Sequence, residues 1–261
     1  MTATGIPDLK PQSNILRSAG WSATSLICLI AVWWVAALVI DSRNLPAPDQ
    51  VFASFTDALA SGELVTHVSI TLARVLVSFV LAMVIGSAIG IFMGRSEKLN
   101  SFFDGWLVLA LNLPALVTII LCYIWFGLTE VAAVTAVAIN KIPNVSVTVR
   151  EGARAISTDL MEMAQAYQFG KWKTFRHVVL PQLNPFIAAA ARSGLALVWK
   201  IVLVVELLGR SDGVGFQLHL FFQLFDVAGL LAYAIAFIMV VQLIELLVLQ
   251  PWERSANRWR R

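Results

Sequence analysis

The sequence predicts an all-α integral membrane protein. Of its 261 residues, 59% are hydrophobic and only 13% are charged, whereas a soluble domain carries roughly 25% charged residues. The mean hydropathy is +0.79. No polar segment is long enough to bury a core of its own. Residues 1–261 are therefore predicted to form a single transmembrane domain in the lipid bilayer.

Long apolar runs give the number of membrane spans. A transmembrane helix needs about 20 mainly apolar residues, and the chain contains about six such runs. The predicted spans are residues 23–40, 70–93, 103–125, 131–149, 186–208 and 228–249.

Local features support individual spans. The first run is too long for the apolar part of a signal peptide, and no small-residue cleavage site follows it before Asp41, so we expect an uncleaved span. In the second span, Gly86 and Gly90 have the spacing that lets helices pack closely. Pro114 interrupts the third span.

Lysine and arginine residues predict the orientation. With the N-terminus in the cytoplasm, the external segments contain only Arg43 and Arg210. The internal segments then contain Lys10, Arg17, Arg95, Lys98, Arg150, Arg154, Lys171, Lys173, Arg176, Arg254, Arg258, Arg260 and Arg261. Positive charge accumulates on the cytoplasmic side of membrane proteins, so both termini are predicted to be cytoplasmic. The longest internal loop then covers residues 150–185.

Several classes of chemistry are excluded by missing motifs. Cys28 and Cys122 both lie within predicted spans, so neither a disulfide framework nor a metal site is expected. His67, His177 and His219 are isolated. The phosphate-binding pattern GxxxxGK[ST] is absent, so any ATP-derived energy must come from another subunit. The basic residues are explained by the inner membrane face, and no nucleic-acid partner is expected.

The long loop contains two short helical patterns. Asp159 and Glu162 have the spacing of a capping box at the start of the first. Gly170 is placed to end this helix in a left-handed conformation, and the second helix should stop before Pro181. Their apolar positions are Leu160, Met163, Ala164 and Tyr167 in the first helix, and Trp172, Phe175 and Val179 in the second. Such an amphipathic element fits either a lipid surface or the groove of a partner protein.

The loop sequence EMAQAYQFGKWKTFRHVVLP resembles the cytoplasmic EAA loop of permease subunits of bacterial ABC importers. That pattern reads EAA, three residues, Gly, nine residues and I-x-L-P. Met163 replaces the first Ala, and Gln168 stands where the central Gly belongs, with Gly170 two positions later. The matching positions are Glu162, Ala164, Val178, Leu180 and Pro181.

Three further stretches resemble permeases of nitrate, sulfonate, taurine and bicarbonate importers. LPAPDQVFASFTDALASGELVTHVSITLARV is similar to their external segment and second span, and NLPALVTIILCYIWFGLTE to their third span. ARSGLALVWKIVLVVELLGRSDGVGF is similar to their fifth span and the following turn. The four stretches occur in the family order and together cover most of the chain.

The resemblance implies a type I ABC importer permease in the bacterial inner membrane, carrying a small anionic solute such as nitrate, a sulfonate, taurine or a carboxylate. It implies a second permease subunit (a copy or a paralogue), two cytoplasmic ATPases and a periplasmic or lipid-anchored binding protein. This chain should bind no cofactor, since ATP and Mg belong to the ATPase. The implied coupling residues are Glu162, Met163, Ala164, Tyr167, Gln168, Gly170, Leu180 and Pro181.

Charges inside the spans are a second candidate site. A charged residue at a helix centre is unfavourable by about 2.5–3.5 kcal/mol on insertion scales, so it usually faces a pathway or a partner. We expect Arg74 and Arg192 to extend towards an interface and Glu245 to pair with a neighbouring helix. Glu206 recurs with Trp199 on one helix face, and pairing with another helix is the alternative for it. The predicted pathway residues are Asn140, Lys141, Trp199, Lys200 and Glu206.

Two other classes stay open at this point. A secondary transporter of a small organic anion would need no ATPase, but it usually has repeated groups of spans, and no convincing repeat is visible. A membrane enzyme would need a cluster of His, Asp or Cys residues near one face, which the chain lacks. Co-purification with a soluble ATPase discriminates between these classes.

Overall fold

The structure, a computed structural model, describes residues 13–40 and 42–252, and no strand occurs among them. The predicted cytoplasmic ends, with Lys10 and the arginines from Arg254 onward, lie outside these residues. The helices are α1 (Ser13–Ile40), α2 (Pro48–Ala60), α3 (Glu63–Arg95), α4 (Glu97–Asn112), α5 (Ala115–Phe126), α6 (Glu130–Arg154), α7 (Thr158–Ala166), α8 (Lys171–Thr174), α9 (Leu180–Gly209), α10 (Val214–Leu224) and α11 (Val227–Ile244). Two π-helical turns, Phe175–Val179 and Glu245–Leu249, extend α8 into α9 and prolong α11. The predicted all-α class is confirmed.

The membrane spans follow the apolar runs of the sequence. By length and composition, four described helical stretches can cross a membrane, or up to five if one bent pair counts as a span. The four are Glu63–Arg95, Glu130–Arg154, Lys171–Gly209 and Val227–Trp252. The apolar part of α1, Thr24–Ile40, is shorter than these, so its crossing stays a prediction.

The predicted third span is broken. Residues 103–125 cover the second part of α4 and nearly all of α5, and the axes of these two helices are bent by 96° at Leu113 and Pro114. A proline disfavours helical geometry in the preceding residue, and Leu113 is accordingly extended (φ −68°, ψ 124°). The predicted interruption at Pro114 is therefore confirmed, and the two helices on either side of it meet at nearly a right angle.

Two helices were absent from the prediction. α2 begins with a proline at its first turn, where the missing N–H has no intrahelical partner to lose. α10 begins after Gly213, whose φ of 99° turns the chain sharply out of α9. Both helices pack on α11, and α10 also packs on α9. The resemblance implied that these segments are external connections.

The centre of the fold is the contact between α3 and α6. A Cβ atom on Gly86 would lie 2.7 Å from Val145 Cβ, and one on Gly90 would lie 2.6 Å from the Ser146 carbonyl oxygen. These distances confirm the close packing predicted from the Gly86–Gly90 spacing. Gly94 extends the same stripe, because its Cβ would lie 2.6 Å from Ala153 Cβ.

The second helix of the long loop is continuous with the fifth span. Lys171–Gly209 forms one helical stretch of 39 residues, so the predicted stop before Pro181 and the separate start of a span near residue 186 are wrong. The π-helical turn accommodates Pro181 within the helix. Leu180 N–H donates to the Phe175 carbonyl, and this wider turn lies where Pro181 would interrupt the regular α-helical hydrogen bonds.

Candidate functional sites

The loop segment of residues 157–181 begins with a side-chain cap two residues before the expected position. Ser157 Oγ accepts a hydrogen bond from Leu160 N–H at 3.3 Å, and helix α7 starts at Thr158. The predicted capping box of Asp159 and Glu162 is therefore wrong. A serine is among the preferred N-cap residues, and Ser157 precedes the acidic pair, which leaves Asp159 in the first turn of the helix.

The turn after α7 lies at Gln168. Its φ is +54°, Phe169 N–H bonds to the Ala164 carbonyl at 2.8 Å, and Gln168 N–H bonds to the Gln165 carbonyl at 2.9 Å. These two bonds define a Schellman ending, whose left-handed residue is usually glycine. Gly170, predicted to be left-handed, instead has φ −62° and precedes α8. The bend thus occurs where the EAA pattern has its central glycine.

The 157–181 segment exposes large apolar side chains. Met163 is 42% exposed, Tyr167 73% and Trp172 72%. Ala164 is 2% exposed, so the predicted common face of α7 is divided: Ala164 packs inward and its neighbours point outward. Leu180 is 40% exposed, and Pro181 lies beside it on the surface. Exposed aromatic residues of this kind are typical of protein–protein contacts.

Charged residues border this apolar surface. Glu162 lines a cleft of about 730 Å³ together with Arg95 and Lys171. Lys173 Nζ lies 4.2 Å from the centre of the Phe169 ring. The segment therefore presents aromatic and aliphatic side chains surrounded by mainly positive charge.

One polar residue ties the segment to the fifth span. Gln182 Oε1 accepts a hydrogen bond from Ser157 N–H at 2.9 Å, while Gln182 Nε2 donates to the Val178 carbonyl at 2.9 Å. The start of α7 is thereby fixed to the start of α9. Gln182 was not predicted from the sequence, because no local pattern links positions 25 residues apart.

Arg74 does not extend to an interface as predicted. Its side chain is 5% exposed and forms ion pairs with three carboxylates: Glu206 at 2.8 Å, Glu130 at 2.5 Å, and Asp212. Arg74 Nη1 also donates to the Asp212 carbonyl at 2.9 Å. An arginine buried at this depth is retained only with partners for its five N–H groups, and here the partners come from α6, α9 and the turn before α10.

Glu206 occupies the buried end of this group. It is 0% exposed and accepts hydrogen bonds from Thr71 Oγ1 at 2.9 Å and Gly215 N–H at 2.8 Å. The alternative that Glu206 pairs with a neighbouring helix is therefore confirmed. Glu206, which was predicted to line the pathway, lies in the interior of the subunit. We call Thr71, Arg74, Glu130, Glu206, Arg210 and Asp212 the Arg74 cluster.

The rim of the Arg74 cluster contains residues that the sequence analysis left unassigned. Arg210 pairs with Glu130 at 2.6 Å and donates to the Leu128 carbonyl. His67, which had appeared isolated, accepts from Gly213 N–H at 3.0 Å and contacts Gln217 at 2.7 Å. The spacing of these residues along the sequence gives no indication of these contacts.

Lys141 lies in the packed interior. It is 2% exposed, and within the described part of the chain no ion pair or hydrogen bond of its side chain is found. A Cβ on Gly194 would lie 2.7 Å from Lys141 Cε, so the glycine of α9 makes room for the lysine of α6. Asn140, its neighbour, is half-buried.

Trp199 and Lys200 meet at a different place, a cleft of about 690 Å³ between α9 and α11. Arg192 and Glu245 line the same cleft, with Arg192 Nη2 4.0 Å from Glu245 Oε1, which confirms the expected pairing of Glu245. Trp199 packs edge-to-face on Phe237, with ring centres 5.6 Å apart. The structure thus separates the predicted pathway residues into this cleft, the Lys141 site and the Arg74 cluster.

A bundle of apolar helices that buries charged groups between its members defines a polytopic membrane protein. Residues 86–250 match the family model described as binding-protein-dependent transport system inner membrane component. The chain belongs to that family, and it is the permease subunit of an ABC importer. The family consists of transport proteins, in agreement with the expectation that the chain is not itself an enzyme.

Individual relatives extend the likeness over nearly the whole chain. The putative aliphatic sulfonates transport permease SsuC of Bacillus subtilis is 29% identical over 245 residues, covering 92% of this chain and 88% of the relative. SsuC of Escherichia coli is 30% identical and covers 77% of each chain. The taurine transport permease TauC of Escherichia coli is 25% identical over 96% of this chain and 94% of its own.

Solved structures support the fold. The inward-facing MetNI methionine ABC transporter aligns with a TM-score of 0.66 at 19% identity, covering 76% of this chain and 98% of that chain. An amino acid ABC transporter aligns with a TM-score of 0.59 at 20% identity, covering 77% and 97%. The predicted type I ABC importer permease fold is confirmed.

Proposed function

We propose that the chain forms the pathway for a small anionic solute together with a second permease subunit, a copy of itself. The relatives are named for sulfonates and taurine, which carry a sulfonate group. Lys141 and Lys200 supply positive charge within the membrane-spanning helices, and the cleft lined by Lys200 is about 690 Å³, of the size of ordinary small-molecule sites.

We infer that the energy comes from two cytoplasmic ATPase subunits that dock on the 157–181 segment. The exposed apolar surface of that segment is the observation that carries this proposal. Its exposed Met163, Tyr167 and Trp172 supply apolar area, and the surrounding charges supply orientation. Ala164 and Gln168 shape the segment, while Leu180 and Pro181 lie at its exposed end. ATP and Mg bind to the ATPases, and this chain binds no cofactor. A periplasmic or lipid-anchored binding protein delivers the solute.

The Gln168 turn gives a test of docking. Gln168→Val should weaken ATPase binding, because a left-handed conformation is less favourable for a β-branched residue than for glutamine. Gly170→Val is the matched control: Gly170 has φ −62° and no atom lies within 4 Å of the added Cβ. The measurements are co-purification of the ATPase and ATP hydrolysis stimulated by the binding protein. Equal ATPase co-purification and stimulated hydrolysis in the two variants would contradict the role of the turn. Normal coupling in a double variant, Gln168→Val with Tyr167→Ala, would contradict the proposal that the segment is the docking surface.

The proposed orientation places both termini in the cytoplasm of a bacterial cell, with the chain in the inner membrane. Single cysteines replace Ser61 and Ala155, both exposed, in a background with Cys28→Ser and Cys122→Ala. A membrane-impermeant maleimide should label position 61 in intact spheroplasts and position 155 only after permeabilisation. Labelling in the opposite pattern would reverse the assignment.

A further inference from the structure

The Arg74 cluster joins parts of the chain that are far apart in sequence. Arg74 and Thr71 belong to α3, Glu130 to the first turn of α6, and Glu206 to the last turn of α9. Arg74 and Glu206 are separated by 132 residues and Arg74 and Asp212 by 138. In the proposed orientation all these positions lie in the external halves of their helices. The cluster therefore connects three spans and one turn at the outer mouth.

The turn and the start of α10 are fitted to Glu206. Val214 N–H donates to Thr71 Oγ1 at 2.8 Å, next to the Gly215 bond to Glu206. A Cβ on Gly213 would overlap the Glu206 carboxylate, and one on Gly215 would lie 2.7 Å from Glu206 Cβ. Both glycines are required for this approach, so α10 is attached to the cluster by backbone as well as by charge.

The Arg74–Glu206 pair at the centre of the cluster is too deeply buried to separate easily, and the more exposed Glu130 and Asp212 lie at its edge. Glu206 is 0% exposed and Arg74 5%. Removing the partner of a buried ion pair leaves an uncompensated charge and is strongly destabilising. Opening the cluster during a transport cycle would leave Arg74, Glu206 or both in that state.

The same cluster lies at the far end of the helix that carries the docking segment. Lys171–Gly209 is continuous over 39 residues, about 58 Å at 1.5 Å per residue. Its cytoplasmic end belongs to the 157–181 segment, and its external end contains Glu206. A displacement of the docking segment is thus applied directly to the cluster.

We propose that Arg74 is a positioning residue of transport: it fixes α10 and the outer ends of α3, α6 and α9 as one unit that stays intact throughout the cycle. A displacement of the docking segment is then transmitted in full to the outer mouth of the pathway. The outer mouth opens while this unit stays rigid. This inference rests on the proposed function for the source of the movement. The integrity of the unit itself rests on the contacts alone.

Spin-label distances test the proposal in the wild-type cluster. Labels are attached at Val65→Cys on α3 and Ser211→Cys in the turn, both exposed, in a background with Cys28→Ser and Cys122→Ala. Labelled subunits are diluted with unlabelled ones, so that only pairs within a subunit are measured. The distance should be the same in the nucleotide-free and the vanadate-trapped ATP states of the full transporter. A shift or a second distance in either state would overturn the proposal.

The Arg74→Met variant tests the role of the residue. The 65–211 distance distribution should broaden, and hydrolysis stimulated by the binding protein should fall at least tenfold while basal hydrolysis persists. Arg43→Met, which removes another external arginine, should change neither quantity.

If Arg74→Met does not fold, Thr71→Val, which removes one hydroxyl, should give a smaller broadening. An unchanged distribution in the folded variant would overturn the proposal. Absence of any stimulated hydrolysis in the wild type would contradict the proposed function and leave the distance result valid.

Discussion

Gly90→Val is expected to prevent stable accumulation of the permease in the membrane. The Cβ of any residue at position 90 would lie 2.6 Å from the Ser146 carbonyl oxygen and 3.0 Å from Arg150 N. Both are backbone atoms of α6 and cannot move aside as a side chain can. Overpacking a core is unfavourable by about 1–3 kcal/mol, and three added carbon atoms against a neighbouring backbone should reach or exceed the upper end of that range.

The matched control for Gly90 is Gly105 in α4. No atom lies within 4 Å of a Cβ at Gly105, so Gly105→Val adds the same three carbons on an open surface. The measurements are the amount of protein in isolated membranes and the unfolding temperature in detergent. Accumulation of Gly90→Val at the level of Gly105→Val would show that α3 and α6 can separate without loss of the fold.

The sequence predicted those features that depend on local composition. Apolar runs of sufficient length located the long helices, since the bilayer sets their length. The spacing of Gly86 and Gly90 predicted that the second span packs closely against another helix, because small residues four apart create one flat stripe on a helix. These predictions needed no knowledge of which helices are neighbours.

The errors concern features that depend on distant residues. Arg74 was expected at an interface because its three carboxylate partners are remote in sequence, with Glu130 the nearest at 56 residues. The charge of Glu206 was assigned to the pathway for the same reason. In a membrane, the burial of a charged residue is decided by which helix carries its partner, and periodicity along one helix contains no information on that.

The bend at Gln168 is a different kind of error. The family pattern indicated position 168, and the preference of glycine for left-handed backbone indicated Gly170. The structure has its left-handed residue at Gln168, with φ +54°, because the hydrogen bonds at the end of α7 fix the position of the turn. The hydrogen bonds at the end of α7 outweighed the preference of glycine for left-handed backbone. Gln168 adopts the left-handed conformation at a modest energetic cost.

Lys141→Met is expected to reduce solute uptake at least tenfold while the transporter still assembles. Lys141 is buried and lacks an ion-pair partner within the described chain, and an ammonium group at the centre of a span is unfavourable by about 2.5–3.5 kcal/mol. Methionine keeps the bulk of the side chain and removes this charge, so the stability of the variant should be equal or higher. An anion that passes close to the lysine would offset the unfavourable charge for a short time, which suits a pathway in which the solute must also leave.

Three further variants separate a role in the pathway from a role in packing. Gly194→Ala should displace Lys141, because the new Cβ would lie 2.7 Å from its Cε, and should lower uptake with the charge retained. Lys200→Met should also lower uptake, since Lys200 lines the cleft between α9 and α11. Lys98→Met, at an exposed position in the first turn of α4, should have no effect. Uptake of radiolabelled sulfonate into proteoliposomes is measured beside basal ATP hydrolysis. Loss of assembly in Lys141→Met would assign the lysine to packing, whereas undiminished uptake in both methionine variants would remove these lysines from the transport mechanism.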